Sequence, residues 1–257
     1  MKFLLQQNLM NEDQLLKVKQ ATENHPREFI SLIPFSREIV CDNDITGTDY
    51  LPYGSTLLTT LGLDYKWKGL FFDLDLFNYG AFKENRDDML NDWVILPVKD
   101  AIGFFAQRHG EEFFLRPSHD LKQFTGTVME ASEAEEWLND AMLCDSSGSY
   151  QIDADMPIVI DVPKNIQAEW RWFIVDGMVV SGSMYRFRGN LQLEEETDPL
   201  VIIEAQMLAD KWLPNPTCVM DVALVDDEVK IIEFNCINSS GFYANDVEAV
   251  FNALAKL

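Results

Sequence analysis

The chain lacks the residue patterns that mark several protein classes. Its 257 residues include four cysteines (Cys41, Cys144, Cys218 and Cys236), scattered and without a CxxC pair. That spacing argues against a disulfide framework or a thiolate zinc site, and for free thiols in a reducing cytosol. Three histidines without an HExxH pattern give no zinc-peptidase site. Basic residues number 20 against 43 acids, a formal charge of −23. Such a field repels nucleic acid and anionic membrane. No apolar run approaches the ~18 residues that a membrane helix needs. The opening MKFLLQQNLMNEDQ lacks the long apolar core and small-residue cleavage site of a secretory signal. A Walker A loop, the kinase HRD and DFG sets, and any Ser/His/Asp or Cys/His arrangement are also missing. With 47% hydrophobic and 25% charged residues, the composition is that of a globular protein with a real core, in one large or two small domains.

The first part reads as α/β. KFLLQ (2–6) is a strand, and Asn11 with Gln14 three residues on opens a helix that Pro26 ends near His25. EFISLIP (28–34) is the next strand, so the three elements make a βαβ unit with parallel strands. DITGTDYLPYGST (44–56) reads as a polar loop. Its end, Gly54-Ser55, is either a plain helix cap or a helix N-terminus able to hold an anion. GLFFDLD (69–75) reads as a third strand, and 78–92 as surface loop with a short helix. A boundary falls near 93–99, giving an N-terminal domain over 1–97 and a second unit over 98–257, divided near 160. In the second unit, strands are joined by hairpins. EEFFLRP (111–117) is a strand, followed by a polar loop (118–127). Ser132 caps a helix to about Leu143, and PIVIDVP (157–163) is a strand. AEWRWFIV and MVVSGSMYRFR pair across Asp176-Gly177, a type I′ pattern. Asp198-Pro199 opens a helix, and Asn245 caps the last one.

The most informative stretch is 217–243, TCVMDVALVDDEVKIIEFNCINSSGFY. Period-two alternation gives two strands. A three-residue turn at Asp226–Glu228 sets Val225 opposite Val229, Ala223 opposite Ile231 and Asp221 opposite Glu233, with Asn235 on the same face. Two opposed carboxylates repel, and burial makes this worse. Either they face solvent, or a hard divalent cation such as Mg²⁺ bridges them, with the amide as a third oxygen donor. Few basic residues fall on strands: Arg116 at a strand end, Arg171 between two tryptophans, and Arg186 after a tyrosine. They either pair with the surplus acids or, beside a cation, hold phosphate.

The runs FLRPSHDLKQFTG, EWRWFIVDGMVVSGSMYR and MDVAL…IIEFNCINSSGFY together resemble the ATP-grasp superfamily, in particular its clade named for two arginines and one lysine. The resemblance implies a pre-ATP-grasp-like parallel βαβ domain, followed by a two-subdomain ATP-grasp unit with antiparallel sheets. It implies that Arg116, Lys122 and Arg171 hold ATP phosphates and that Ile160, Asp161 and Val162 form the hinge meeting adenine. Glu169 would contact the nucleotide, and Arg171 and Arg186 would act in catalysis, Arg186 also on a substrate carboxylate. Asp221, Glu233 and Asn235 would ligate Mg²⁺, with Mn²⁺ able to replace it. Gly54, Ser55, Ser239, Ser240 and Gly241 would line the acceptor site. The implied reaction is an ATP-dependent carboxylate–amine ligation through an acyl phosphate, on a small molecule or peptide, in the cytoplasm of a bacterial or phage-infected cell. A kinase on the same scaffold, a non-catalytic nucleotide-binding protein and a metal-dependent nuclease are the alternatives. The chain's net charge and its basic strand residues speak against the nuclease.

Overall fold

A computed structural model of the protein describes residues 1–257 apart from 34, 35, 44, 46, 122 and 144–151. The first sheet contains β1 (Lys2–Gln6), β2 (Arg27–Leu32), β3 (Ile39–Val40) and β4 (Tyr50–Tyr53), in the order β3-β2-β1-β4. β1 runs parallel to both β2 and β4, so the expected βαβ unit is present. Helix α1 (Glu12–Ala21) starts where Asn11 accepts from the Gln14 N–H at 2.8 Å, and it ends a turn earlier than Pro26 suggested. Helix α2 (Thr56–Tyr65) follows β4.

Three expectations fail here. β4 lies inside the stretch read as loop; Pro52 and the flanking polar residues masked a parallel edge strand, a place where proline is tolerated. Conversely, 69–75 is not a strand. Its backbone is satisfied elsewhere: Gly69 N–H donates to Tyr50 O, and Asn238 bonds both Gly69 O and Phe71 N–H through its side-chain amide. The segment 78–92 is not surface either. It carries helix α3 (Tyr79–Asn85), and Tyr79, Phe82, Met89 and Leu90 are buried.

The second sheet, ordered β5-β8-β6-β7, consists of β5 (Val94–Pro97), β6 (Glu112–Pro117), β7 (Thr127–Glu130) and β8 (Pro157–Asp161), all antiparallel. β5 thus pairs with β8, although it precedes residue 98. Helices α4 (Val98–Phe105) and α5 (Ala131–Leu143) close its core. Ser132 is the second residue of α5 rather than its cap; Glu130 accepts from the Ser132 N–H at 3.1 Å.

The third sheet has the order β11-β10-β9-β12-β13: β9 (Ala168–Val175), β10 (Met178–Phe187), β11 (Asn190–Glu195), β12 (Cys218–Val225) and β13 (Glu228–Asn235). Helix α6 (Pro199–Ala209) covers the face that bears Trp172 and Ile174. Helix α7 (Val247–Leu254) packs on the other face, with Phe173, Val175 and Val219. Asp246, not Asn245, caps α7, accepting from Ala249 N–H at 2.9 Å. Asn245 is buried instead, bonded to Ser183 Oγ and Phe242 O. Asp176 and Gly177 both have positive φ, 51° and 78°, as a type I′ turn requires.

The acidic hairpin corrects the sequence reading and rescues it. Its turn has two residues, Asp226 and Asp227 (φ 51° and 65°), so Val225 pairs with Glu228 and Val222 with Ile231. A bulge at Asp221/Val222 then leaves Ile232 unpaired and restores Asp221 opposite Glu233. No helix among the described residues is long and apolar enough to cross a membrane.

Candidate nucleotide and metal site

The second and third sheets face each other across a cleft of about 550 Å³. β6 brings Arg116 to it, β9 Glu169 and Arg171, β10 Tyr185 and Arg186, β12 Asp221, and β13 Ile232 and Glu233. Two irregular ladders aim these side chains. Successive strand residues normally point to opposite faces. Yet Tyr185 and Arg186 both line the cleft, because the register of β10 against both neighbours shifts between Met184 and Arg186. Ile232 and Glu233 do the same at the β13 bulge. Bulges of this kind are common beside active sites, where they re-aim a side chain.

The cleft's charges are already paired. Arg171 grips Asp221 with two bonds, Nε to Oδ1 at 2.8 Å and Nη2 to Oδ2 at 2.6 Å, and its Nη1 reaches Gly241 O at 3.1 Å. Arg116 donates to the Glu233 carboxylate and lies 4.8 Å above the Tyr79 ring. Asn235 donates Nδ2 to Asp221 Oδ2 at 3.1 Å. Glu169 accepts from the Tyr185 hydroxyl at 2.7 Å and from Arg186 at 3.3 Å. Burial opposes the charge on Arg116 and Arg171. Glu233 and Asp221 outweigh it, and both guanidiniums are held more firmly protonated than usual. Burial also lifts the Cys236 thiol to about 12 and raises that of Cys218, so neither supplies a thiolate nucleophile at neutral pH.

Arg116, Glu169, Arg171, Arg186, Asp221 and Glu233 therefore share one cleft, with Asn235 bonded beneath it. Lys122 lies outside the described residues. Ile160 is sealed in the core of the second sheet, Val162 is exposed, and the Asp161 carboxylate accepts from the Asp92 and Trp93 N–H groups. Pro163 and Lys164, just beyond them, do line the cleft. Gly54, Ser55, Ser239, Ser240 and Gly241 are not among its lining residues, although Gly241 O accepts from Arg171 at its edge. Ser55 is a plain cap, accepting from Leu58 N–H at 3.3 Å and donating to Gln6. Ser240 is buried, with its hydroxyl on Cys236 O. Sequence reasoning missed three residues. Tyr185 and Tyr243 line the cleft, and Asp120 ties the 118–127 loop to β13 by accepting from Cys236 N–H at 2.9 Å. The bulge that turns Tyr185 inward leaves no periodic trace, though its place next to Arg186 is a weak pointer.

Residues 93–254 match the profile of the ATP-grasp domain, R₂K clade family 3. The chain belongs to that family. Its fold is shared by D-cycloserine synthetase DcsG, at a TM-score of 0.64 and 10% identity, over 99% of this chain and 98% of that one. A RimK domain ATP-grasp protein from Sphaerobacter thermophilus matches at 0.60 and 10% identity, covering 98% of each chain. The ATP-grasp ligase PsnB, complexed with minimal precursor, Mg and ADP, matches at 0.54 and 10% identity, over 99% of this chain and 96% of that one. No curated protein matches the chain in sequence.

Proposed function

We propose that this ATP-grasp protein is an ATP- and Mg²⁺-dependent ligase that joins a carboxylate to an amine, or to another nucleophile, through an acyl phosphate. The observation that carries this reading is the single cleft where two guanidiniums from different sheets, Arg116 and Arg171, meet two carboxylates on adjacent strands. Phosphate is the ligand that both a guanidinium and a hard cation stabilise. The donor set fits Mg²⁺. Asp221 and Glu233 stand opposite each other, Asn235 is bonded to Asp221, and all three offer oxygen. These three side chains would hold Mg²⁺, or Mn²⁺ in its place, whose charge would neutralise phosphate oxygens. Arg116 and Arg171, with Lys122, hold the phosphates in line. The backbone around Ile160–Val162 and Pro163 meets the base, and Glu169 the rest of the nucleotide. Arg186, half-exposed at the rim, takes the substrate carboxylate, and Gly241 borders the acceptor. The protein then needs no nucleophile of its own, because positioning and charge supply the catalysis. Its structural relatives, which include a D-cycloserine synthetase and an ATP-grasp ligase complexed with Mg and ADP, support this chemistry. The substrate is a small molecule or peptide in the cytoplasm.

The test combines titration of the full chain with Mg·AMP-PNP and a screen of amino acids and short peptides with Mg·ATP, read by phosphate release and new masses. A ligase releases free phosphate and yields a condensed product. A phosphorylated product without free phosphate would make the protein a kinase. Glu233→Gln is expected to weaken Mg·AMP-PNP binding at least ~100-fold, the loss of a charged contact in a partly buried site. Unchanged binding with the fold intact would overturn the site.

A further inference from the structure

Tyr243 has a left-handed backbone, φ 51°, a conformation in which a bulky side chain is an outlier. It occupies the turn closed by Asn245 N–H on Phe242 O at 2.9 Å, a position that glycine or asparagine fills at less strain. Burial does not explain the tyrosine, which is 40% exposed. The turn is nevertheless fixed on both sides. Phe242 stacks on Phe173 at 5.0 Å, and Asn245 is buried and bonded to Ser183. What the side chain does is visible at the cleft. Its ring stacks on Tyr185 at 4.7 Å and 14°, and the Arg171 guanidinium lies 4.8 Å over its face. Tyr185 is in turn fixed by Glu169. Arg171 is thus held along its edge by Asp221 and Gly241 O, and on its flat face by Tyr243 at 4.8 Å, with the Tyr185 ring farther off at 6.0 Å.

We propose that Tyr243 is a positioning residue that fixes the plane of the Arg171 guanidinium, and that the chain retains a strained tyrosine for this purpose. The proposal rests on the reading of Arg171 as the group that meets phosphate. A planar guanidinium stacked on an aromatic face keeps the orientation that bidentate recognition of an oxyanion needs. Without the ring, Arg171 retains its edge contacts but can tilt about them.

The experiment compares full-length Tyr243→Phe and Tyr243→Gly with the wild type. Three quantities are read: thermal midpoint, the ¹⁵N-edited Nε–H signal of Arg171 without ligand (assigned with Arg171→Lys), and affinity for Mg·AMP-PNP. Phe preserves the stack and is expected to match the wild type in all three. Gly relieves the backbone, so the midpoint holds or rises, while the Arg171 signal broadens and affinity falls at least fivefold. A sharp Arg171 signal in Tyr243→Gly overturns the proposal, as does a lowered midpoint with binding unchanged. If the wild type fails to bind Mg·AMP-PNP, the ligase reading falls, and the Arg171 signal still decides the role of Tyr243.

Discussion

Arg86 and Asp88, which no sequence pattern singled out, form one of the most consequential ion pairs of the fold. The Arg86 side chain is fully buried and bonds Asp88 through Nε and Nη2, both at 2.7 Å, while Nη1 reaches Leu208 O and Trp212 O. Lys211 joins Asp88 at 2.8 Å. Burial alone would raise the Asp88 carboxyl, but its bonds to Arg86 and Lys211 hold it down to about 2. A carboxyl that is more acidic in the folded chain than in the unfolded one stabilises the fold above pH ~4, and this contribution fades as pH falls toward 2. Asp88→Asn leaves Arg86 buried without its counter-charge. The expected loss is about 3 kcal/mol at pH 7, measured by urea unfolding, with a shallower acid dependence below pH ~4 than in the wild type. The residues whose place in the cleft was legible from strand alternation alone are Glu169 and Arg171; Asp221 and Glu233 reach it together only through the bulge. Asn238 and Asn245 were not legible, because a buried amide that bonds distant backbone follows no period.

Strands and turns carry their own lessons. Strand alternation predicts the acidic hairpin, but with a turn one residue longer than the observed Asp226-Asp227. The bulge compensated for that error, so Asp221 met Glu233 for a reason other than the one expected. Bulges are invisible to a strict period-two reading, and here two of them shape the cleft. Asp226 and Asp227 both sit at positive φ, where glycine is less strained. In Asp227→Gly the relief of left-handed backbone strain should at least offset glycine's greater unfolded-state freedom, so the thermal midpoint should hold or rise; a clear fall would show that Asp227 is unstrained there. Gly182 behaves in the opposite way. A Cβ there would run into the Trp172 ring, itself sealed under α6 in the core of the third sheet. Gly182→Ala should cost about 1–3 kcal/mol or more, and a loss of less than half a kcal/mol on chemical denaturation would show that the ring moves aside freely. Strand β4 escaped notice because Pro52 and its polar neighbours resemble a loop, whereas 69–75 looked like a strand because its apolar residues pack without joining a ladder.

Across the whole molecule, an excess of 23 negative charges makes the compact state self-repelling at low ionic strength. Raising salt from ~20 to ~300 mM shortens the screening length from about 20 Å to about 6 Å, and the thermal midpoint should climb with it; a flat response would mean that local pairing already neutralises the field. The general architecture was readable from the alternation of elements, since parallel βαβ and antiparallel hairpin segments each leave a distinct pattern. How the pieces hold together was not. Asn238 bonds Pro52 O and Gly69 O through its amide nitrogen at 2.7 and 2.9 Å and takes the Phe71 N–H at 2.9 Å, its own carbonyl accepts from Gly54 N–H, and Tyr53 reaches Ser240 O. One side chain near the end of the chain thus satisfies backbone groups from both sides of α2. Recombination that swaps the first ninety residues for those of a distant relative would strand these partners. Chimeras of this protein should survive only when the loop around Asn238 is inherited together with its amino-terminal half.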